Sequence, residues 1–100
     1  MHHAVIVLLC VVAGIPALGI AADFNIENHC REVSQFVGGS YQIEQNCRNN
    51  ERKAKEQLSA EPIPPEIEKH CAEVAEFVGG SYQLMMSCVK NETKAKANLH

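Results

Sequence analysis

The chain has 100 residues, 12 acidic and 9 basic side chains and a formal charge of −3, enough for one ordinary domain at most. Mild acidity removes the electrostatic reason to expect nucleic acid as a partner, because the short basic clusters are matched by carboxylates. All charged side chains fall after residue 22, so the chain divides into a charge-free start and a polar remainder.

The charge-free start reads as a signal peptide over residues 1–22. The run AVIVLLCVVAGI is an apolar core of the right length, Pro16 breaks it, and the small residues before Asp23 suit a signal peptidase. The opening MHH carries no Lys or Arg, a departure from the usual n-region, and an uncleaved anchor is the rival because the apolar stretch approaches the roughly 20 residues that cross a bilayer. Cys10 lies inside this segment behind Leu9, which is too large for a lipoprotein cleavage site. The expectation is export, to the periplasm or outside the cell, with no membrane contact once the segment is removed.

The remainder is a tandem duplication. Residues 29–58 align without a gap to residues 70–99 with 18 identities in 30 positions, and FVGGSYQ occurs unchanged in both copies. In the first helix of each copy, Ile26, Cys30, Val33 and Val37, and then Ile67, Cys71, Val74 and Val78, recur at intervals of four, three and four. Past the glycines, Ile43, Cys47, Ala54 and Leu58 form a second stripe, matched by Leu84, Cys88, Ala95 and Leu99. Each second helix is expected to end in a KAK segment, where cations suit the negative end of the helix dipole.

Gly38 and Gly39, and Gly79 and Gly80, sit midway between cysteines 17 positions apart. One unbroken helix through that interval would hold the sulfurs roughly 25 Å apart and bury two helix-interior glycines at about 2 kcal/mol. A reversal at the glycines brings Cys30 opposite Cys47 and Cys71 opposite Cys88, with Ser40 and Ser81 capping the helices that follow. Each bridge would close 18 residues and contribute about 3 kcal/mol in the chain-entropy account. A hairpin this short cannot bury enough apolar surface without such a staple, and exported domains commonly use one.

Residues 23–58 are thus the first hairpin, residues 59–65 a stiff linker holding Pro62, Pro64 and Pro65, and residues 66–100 the second hairpin. Pro65 followed by Glu66 and Glu68 also has the character of a helix start. The predicted fold is all-α: two tandem disulfide-stapled antiparallel helical hairpins, packed as a small four-helix arrangement.

The chemistry-bearing candidates are few. His29 and His70 each precede a cysteine and raise metal binding, but neighbours on a helix diverge by about 100° and neither has a second ligand one turn away. Oxidised cysteines cannot coordinate as thiolates either, so no metal or other cofactor is expected. Ser40 and Ser81 lack the Gly-x-Ser-x-Gly setting of a nucleophile, and no Asp follows Asp23 to orient a histidine. The chain is expected not to be an enzyme.

The copies differ most where Glu44, Gln45 and Arg48 become Met85, Met86 and Val89. With Tyr82 and Leu84 these make the second copy apolar around more of its circumference than one hairpin partner covers. Either the first hairpin packs there, or Tyr82, Met85, Met86 and Val89 receive another protein or a second copy of the chain. The functional expectation is a small exported, non-catalytic interaction or structural module. The alternative is a periplasmic metal-binding or metal-chaperone protein using His29, His70 and reduced cysteines.

Overall fold

A computed structural model describes residues 19–99, so most of the expected signal peptide, including Cys10, lies outside the described residues. The chain folds as four helices, α1 (Ile26–Phe36), α2 (Tyr41–Ala60), α3 (Pro65–Phe77) and α4 (Tyr82–Asn98), with no strand among the described residues. The starts of the helices follow from the residues that cap them. Asn25 accepts from the Asn28 amide at 2.9 Å, and the Ser40 and Ser81 hydroxyls accept from the Ile43 and Leu84 amides at 3.2 Å. Pro65 opens α3 with Glu66 and Glu68 in its first turn, where a missing N–H costs nothing and carboxylates meet the positive end of the dipole.

The reversals are glycine turns. Gly38 and Gly39 have φ of 94° and 86°, and Gly79 and Gly80 have 98° and 84°, a region where a side chain is strained. The Gly39 amide reaches back to the Ser34 carbonyl and the Gly80 amide to the Ala75 carbonyl, closing each first helix. Beyond the turns the helices run back antiparallel, and Cys30–Cys47 and Cys71–Cys88 are disulfides with Cα atoms 5.5 Å apart in both.

The helical stripes depart from the expectation at some positions of every helix. On α1 the buried line is Ile26, Cys30 and Ser34, and on α3 it is Ile67, Cys71 and Ala75. Val33 is half-buried, and Val37, Val74 and Val78 are exposed. The line steps by four at each residue, and a small residue at its end lets the following turn close in tightly. On α2, Ala54 and Leu58 are buried as expected, whereas Ile43 is exposed. On α4, Leu84 and Ala95 are exposed, as is Leu99 just past its end.

Helix α2 also continues to Ala60, beyond the expected end at Leu58. Lys53 and Lys55 therefore sit before its last turn, which holds no basic residue; only Lys96 of the second KAK segment occupies a last turn. The two hairpins meet through their second helices, α2 against α4. One core joins Ala54 and Leu58 of α2 to Ile67, Cys71 and Ala75 of α3 and to Tyr82 and Met85 of α4.

Ahead of α1 the chain, including residues 20–22 of the expected signal peptide, is an extended strap laid over the second hairpin. Ile20, Ala22 and Phe24 alternate inward against the core while Ala21 and Asp23 face out. The Ala21 amide donates to Glu68 Oε2 at 2.9 Å and the Phe24 amide to the Tyr82 hydroxyl at 2.8 Å. No helix among the described residues is long and apolar enough to cross a membrane.

Candidate functional site

The geometry singles out the two FVGGSYQ phrases, since identical residues meet opposite surroundings. In the second copy the end of the phrase, Gly80, Ser81 and Tyr82, is buried. Tyr82 is fully buried (0% exposed), its ring 4.9 Å from that of Phe24 and beneath the Lys55 ammonium at 5.4 Å. Gly80 lies under Phe24, where even a methyl group would come within 3.1 Å of the ring.

Glu51 of α2 ties this turn to the first hairpin. Its carboxylate, 0% exposed, accepts from the Tyr82 amide at 2.6 Å on one oxygen. The other oxygen accepts from the Ser81 hydroxyl at 2.7 Å, the Gln83 side-chain amide at 3.0 Å and the Gln83 backbone amide at 3.3 Å. A helix start leaves its first amides without intrahelical partners, and a carboxylate both satisfies them and meets the positive end of the dipole. Glu51 is thus an N-terminal cap for α4 supplied by the neighbouring repeat, and the burial of a carboxylate is compensated by four donors.

Sequence reasoning missed this residue, although a signal for it exists. The α2 stripe steps by seven from Cys47 to Ala54, and Glu51 occupies the helical position between them. A charged residue in the gap of an apolar stripe is easily taken for surface.

In the first copy the same phrase is open. Tyr41 is 88% exposed, and the Tyr41 and Gln42 amides find no acceptor among the described residues. Ser34 donates to the Ser40 carbonyl at 2.7 Å, a bond with no counterpart in the second copy, where Ala75 replaces Ser34.

The differing residues fall on this contrast. Met85 is fully buried and Met86 and Val89 are half-buried, packed in the core that α2 joins. That face of the second copy is covered by the first hairpin, so Tyr82 and Met85 have no free surface to offer a partner. Glu44 and Arg48, which stand where Met85 and Val89 do, form an ion pair along α2 instead.

The candidate metal ligands are not brought together. His29 is half-buried on α1 and His70 exposed on α3, and both cysteines that follow them are in disulfides. Among the described residues no cluster of three or more His, Cys, Asp or Glu is placed to hold a metal ion. Ser40 and Ser81 act as helix caps, and Ser81 donates to Glu51 rather than to a histidine.

Large apolar side chains are left in the open at the turn ends of the hairpins. Phe36 and Phe77 are 92% and 91% exposed at the last positions of α1 and α3, with Val37 and Val78 exposed beside them. Val78 joins His29, Val33, Phe36 and Val37 in lining one shallow groove, so residues of both hairpins contribute to it.

Fold and site together define a class: a duplicated, disulfide-stapled helical hairpin in which one repeat caps the other. No protein-family model, curated protein or solved structure matches the chain.

Proposed function

We propose that the chain is a small exported, non-catalytic interaction module that meets another protein through its paired hairpin tips. The observation that carries this reading is the exposure of Phe36 and Phe77, with Val37 and Val78, at the ends of two stapled hairpins. Aromatic side chains bring large contact area for little rotamer entropy, and a rigid support lowers the cost of presenting them. Solvent-facing aromatics at equivalent positions of both repeats have no role in the core, which is complete without them. Export is supported by two disulfides, which persist in oxidising compartments, and by the charge-free segment over residues 1–22.

The test is crosslinking capture from the extracytoplasmic fraction of the source cell, comparing wild type with Phe36→Ser/Phe77→Ser. Both side chains are exposed, so the variant should keep its helical signal and melting temperature within the narrow range of surface substitutions. A specific partner captured by wild type and lost with the variant is the expected result. Equal capture by both, or none by either, would overturn the reading.

A further inference from the structure

The interface between the repeats has two halves, and the duplication has made each of them twice. The inserting half is Glu51, Ala54, Lys55 and Leu58 on α2, and its aligned residues are Glu92, Ala95 and Lys96 on α4 and Leu99 just past its end, identical in type at every position. On α2, Glu51, Ala54 and Leu58 are buried in the second hairpin; the four aligned residues are all exposed. The receiving half is the Ser81, Tyr82 and Gln83 helix start, and its aligned residues Ser40, Tyr41 and Gln42 are also identical. There Tyr41 and Gln42 face solvent and their amides are free among the described residues. One chain therefore carries one used interface, one spare inserting ridge and one spare receiving turn.

We propose that the chain associates head to tail with a second copy of itself, Glu92 of one copy entering the helix start at Ser40, Tyr41 and Gln42 of the next. The contact repeats the one Glu51 makes with Ser81, Tyr82 and Gln83. That these residues take a carboxylate is seen in this molecule, where the identical phrase of the second repeat does so with four hydrogen bonds. A second feature of the receiving side points the same way. Arg48 Nε is buried without an acceptor although the guanidinium is paired with Glu44, and Arg48, Arg52 and Glu44 all line the shallow groove that runs from Tyr41 along α2. Two guanidinium groups against one carboxylate leave a net positive charge there for an entering carboxylate, whereas the aligned residues of the second copy, Val89, Thr93 and Met85, carry none.

The same comparison sets the strength of the contact. Glu44 stands where Met85 is buried, and Pro65 stands where Phe24 covers the tyrosine, so the junction between chains lacks two apolar contributions of the internal one. Association is accordingly weak and reversible. Because the two halves are different surfaces, it is heterologous and continues to longer chains unless the rotation closes a ring.

The experiment is sedimentation equilibrium of the purified, fully oxidised protein over a wide concentration range. The mass-average should rise with concentration from the monomer towards twice that value and beyond. Glu92→Gln keeps the side chain's size, removes its charge and should weaken association about tenfold or more, with an unchanged melting temperature because Glu92 is exposed. Glu44→Met/Gln45→Met gives the receiving face two of its second-copy residues while keeping Arg48 and Arg52, and should strengthen association, and adding Glu92→Gln should reverse that gain. A wild type that stays monomeric at every concentration, or an association indifferent to Glu92→Gln, would overturn the proposal. Association abolished by Phe36→Ser/Phe77→Ser but not by Glu92→Gln would also overturn it and would place the self-contact at the tips, so failure here and failure of the interaction reading are told apart.

Discussion

Tyr41 and Tyr82 sit in the same seven-residue phrase, follow the same glycine turn and open the same kind of helix, yet one is 88% exposed and the other 0%. The phrase determines the local geometry in both copies: positive φ at the glycines, a serine cap and a disulfide below. What it does not determine is its surroundings. Those come from Glu51, Lys55 and Phe24, which reach the second turn from elsewhere in the chain. A repeat that forms its own hairpin is therefore a unit of local structure, while the stability of the pair is concentrated at one of two identical sites.

The largest break in this symmetry is expected from the tyrosines themselves. Tyr82→Ala empties the centre of the core and frees the Phe24 amide, so it should destabilise by about 3 to 5 kcal/mol in denaturant unfolding. Tyr41→Ala should stay within about 0.5 kcal/mol of wild type. Equal losses would mean that the first turn is covered as well.

Next come the glutamates. Glu51→Ala removes the acceptor for Ser81, Tyr82 and Gln83 at a buried site, and a stranded buried donor costs about 1 to 3 kcal/mol, so a loss of about 3 kcal/mol is expected in total. Glu92→Ala, on the exposed counterpart, should change monomer stability by less than about 0.5 kcal/mol. The comparison is sharpened by amide exchange, in which Tyr82 and Gln83 should lose protection in Glu51→Ala while Tyr41 and Gln42 exchange fast in all variants.

These contrasts mark how far the sequence is legible. The hairpins, their turns and both disulfides follow from local arithmetic: cysteines equidistant from a Gly-Gly pair can meet only if the chain reverses there. The substitution of Met85, Met86 and Val89 for polar residues leaves two occupants open for that face, the first hairpin or a partner, and α2 of the first hairpin is what packs there. Glu51 and the strap are the parts that local pattern does not reach. A buried glutamate is defined by donors 30 to 32 positions away, and Phe24 by a tyrosine 58 positions away, neither of which leaves a periodic trace. The valine stripes misled for a related reason. Period alone does not say which of two adjacent positions, Val33 or Ser34, faces the partner helix, and the closer approach was possible at the smaller residue.

The glycines give a smaller test. Alanine at Gly39 or Gly80 would hold a side chain at positive φ, costing about 1 to 2 kcal/mol at either place. At Gly80 the added methyl group also meets Phe24, so Gly80→Ala should be the more damaging by displacing the strap. A double-mutant cycle isolates that part: in a Phe24→Ala background the two glycine substitutions should cost the same, and a persisting difference would place its origin in the turn rather than in the strap.

The smallest effect concerns Lys55 and Lys96, aligned residues with different tasks. Lys55 lies over the Tyr82 ring, and Lys55→Ala should lose about 0.5 to 1 kcal/mol in denaturant unfolding. Lys96 pairs at 2.9 Å with Glu66, whose aligned residue in the first copy is Asn25. The Lys96 ammonium, chiefly through its hydrogen bond, holds the Glu66 carboxyl below its ordinary value. A carboxyl group whose folded value is depressed contributes its stability above the unfolded value and loses it as pH falls through the folded one. Because both partners are largely exposed, solvent and salt screen the pair, and its removal should leave the melting temperature at neutral pH almost unchanged. The sensitive readout is the titration of Glu66 followed by NMR. In Lys96→Ala its midpoint should move up towards the ordinary glutamate value, and the difference from wild type should fade in high salt; a midpoint that stays depressed would show that the α3 helix start, not the lysine, sets it.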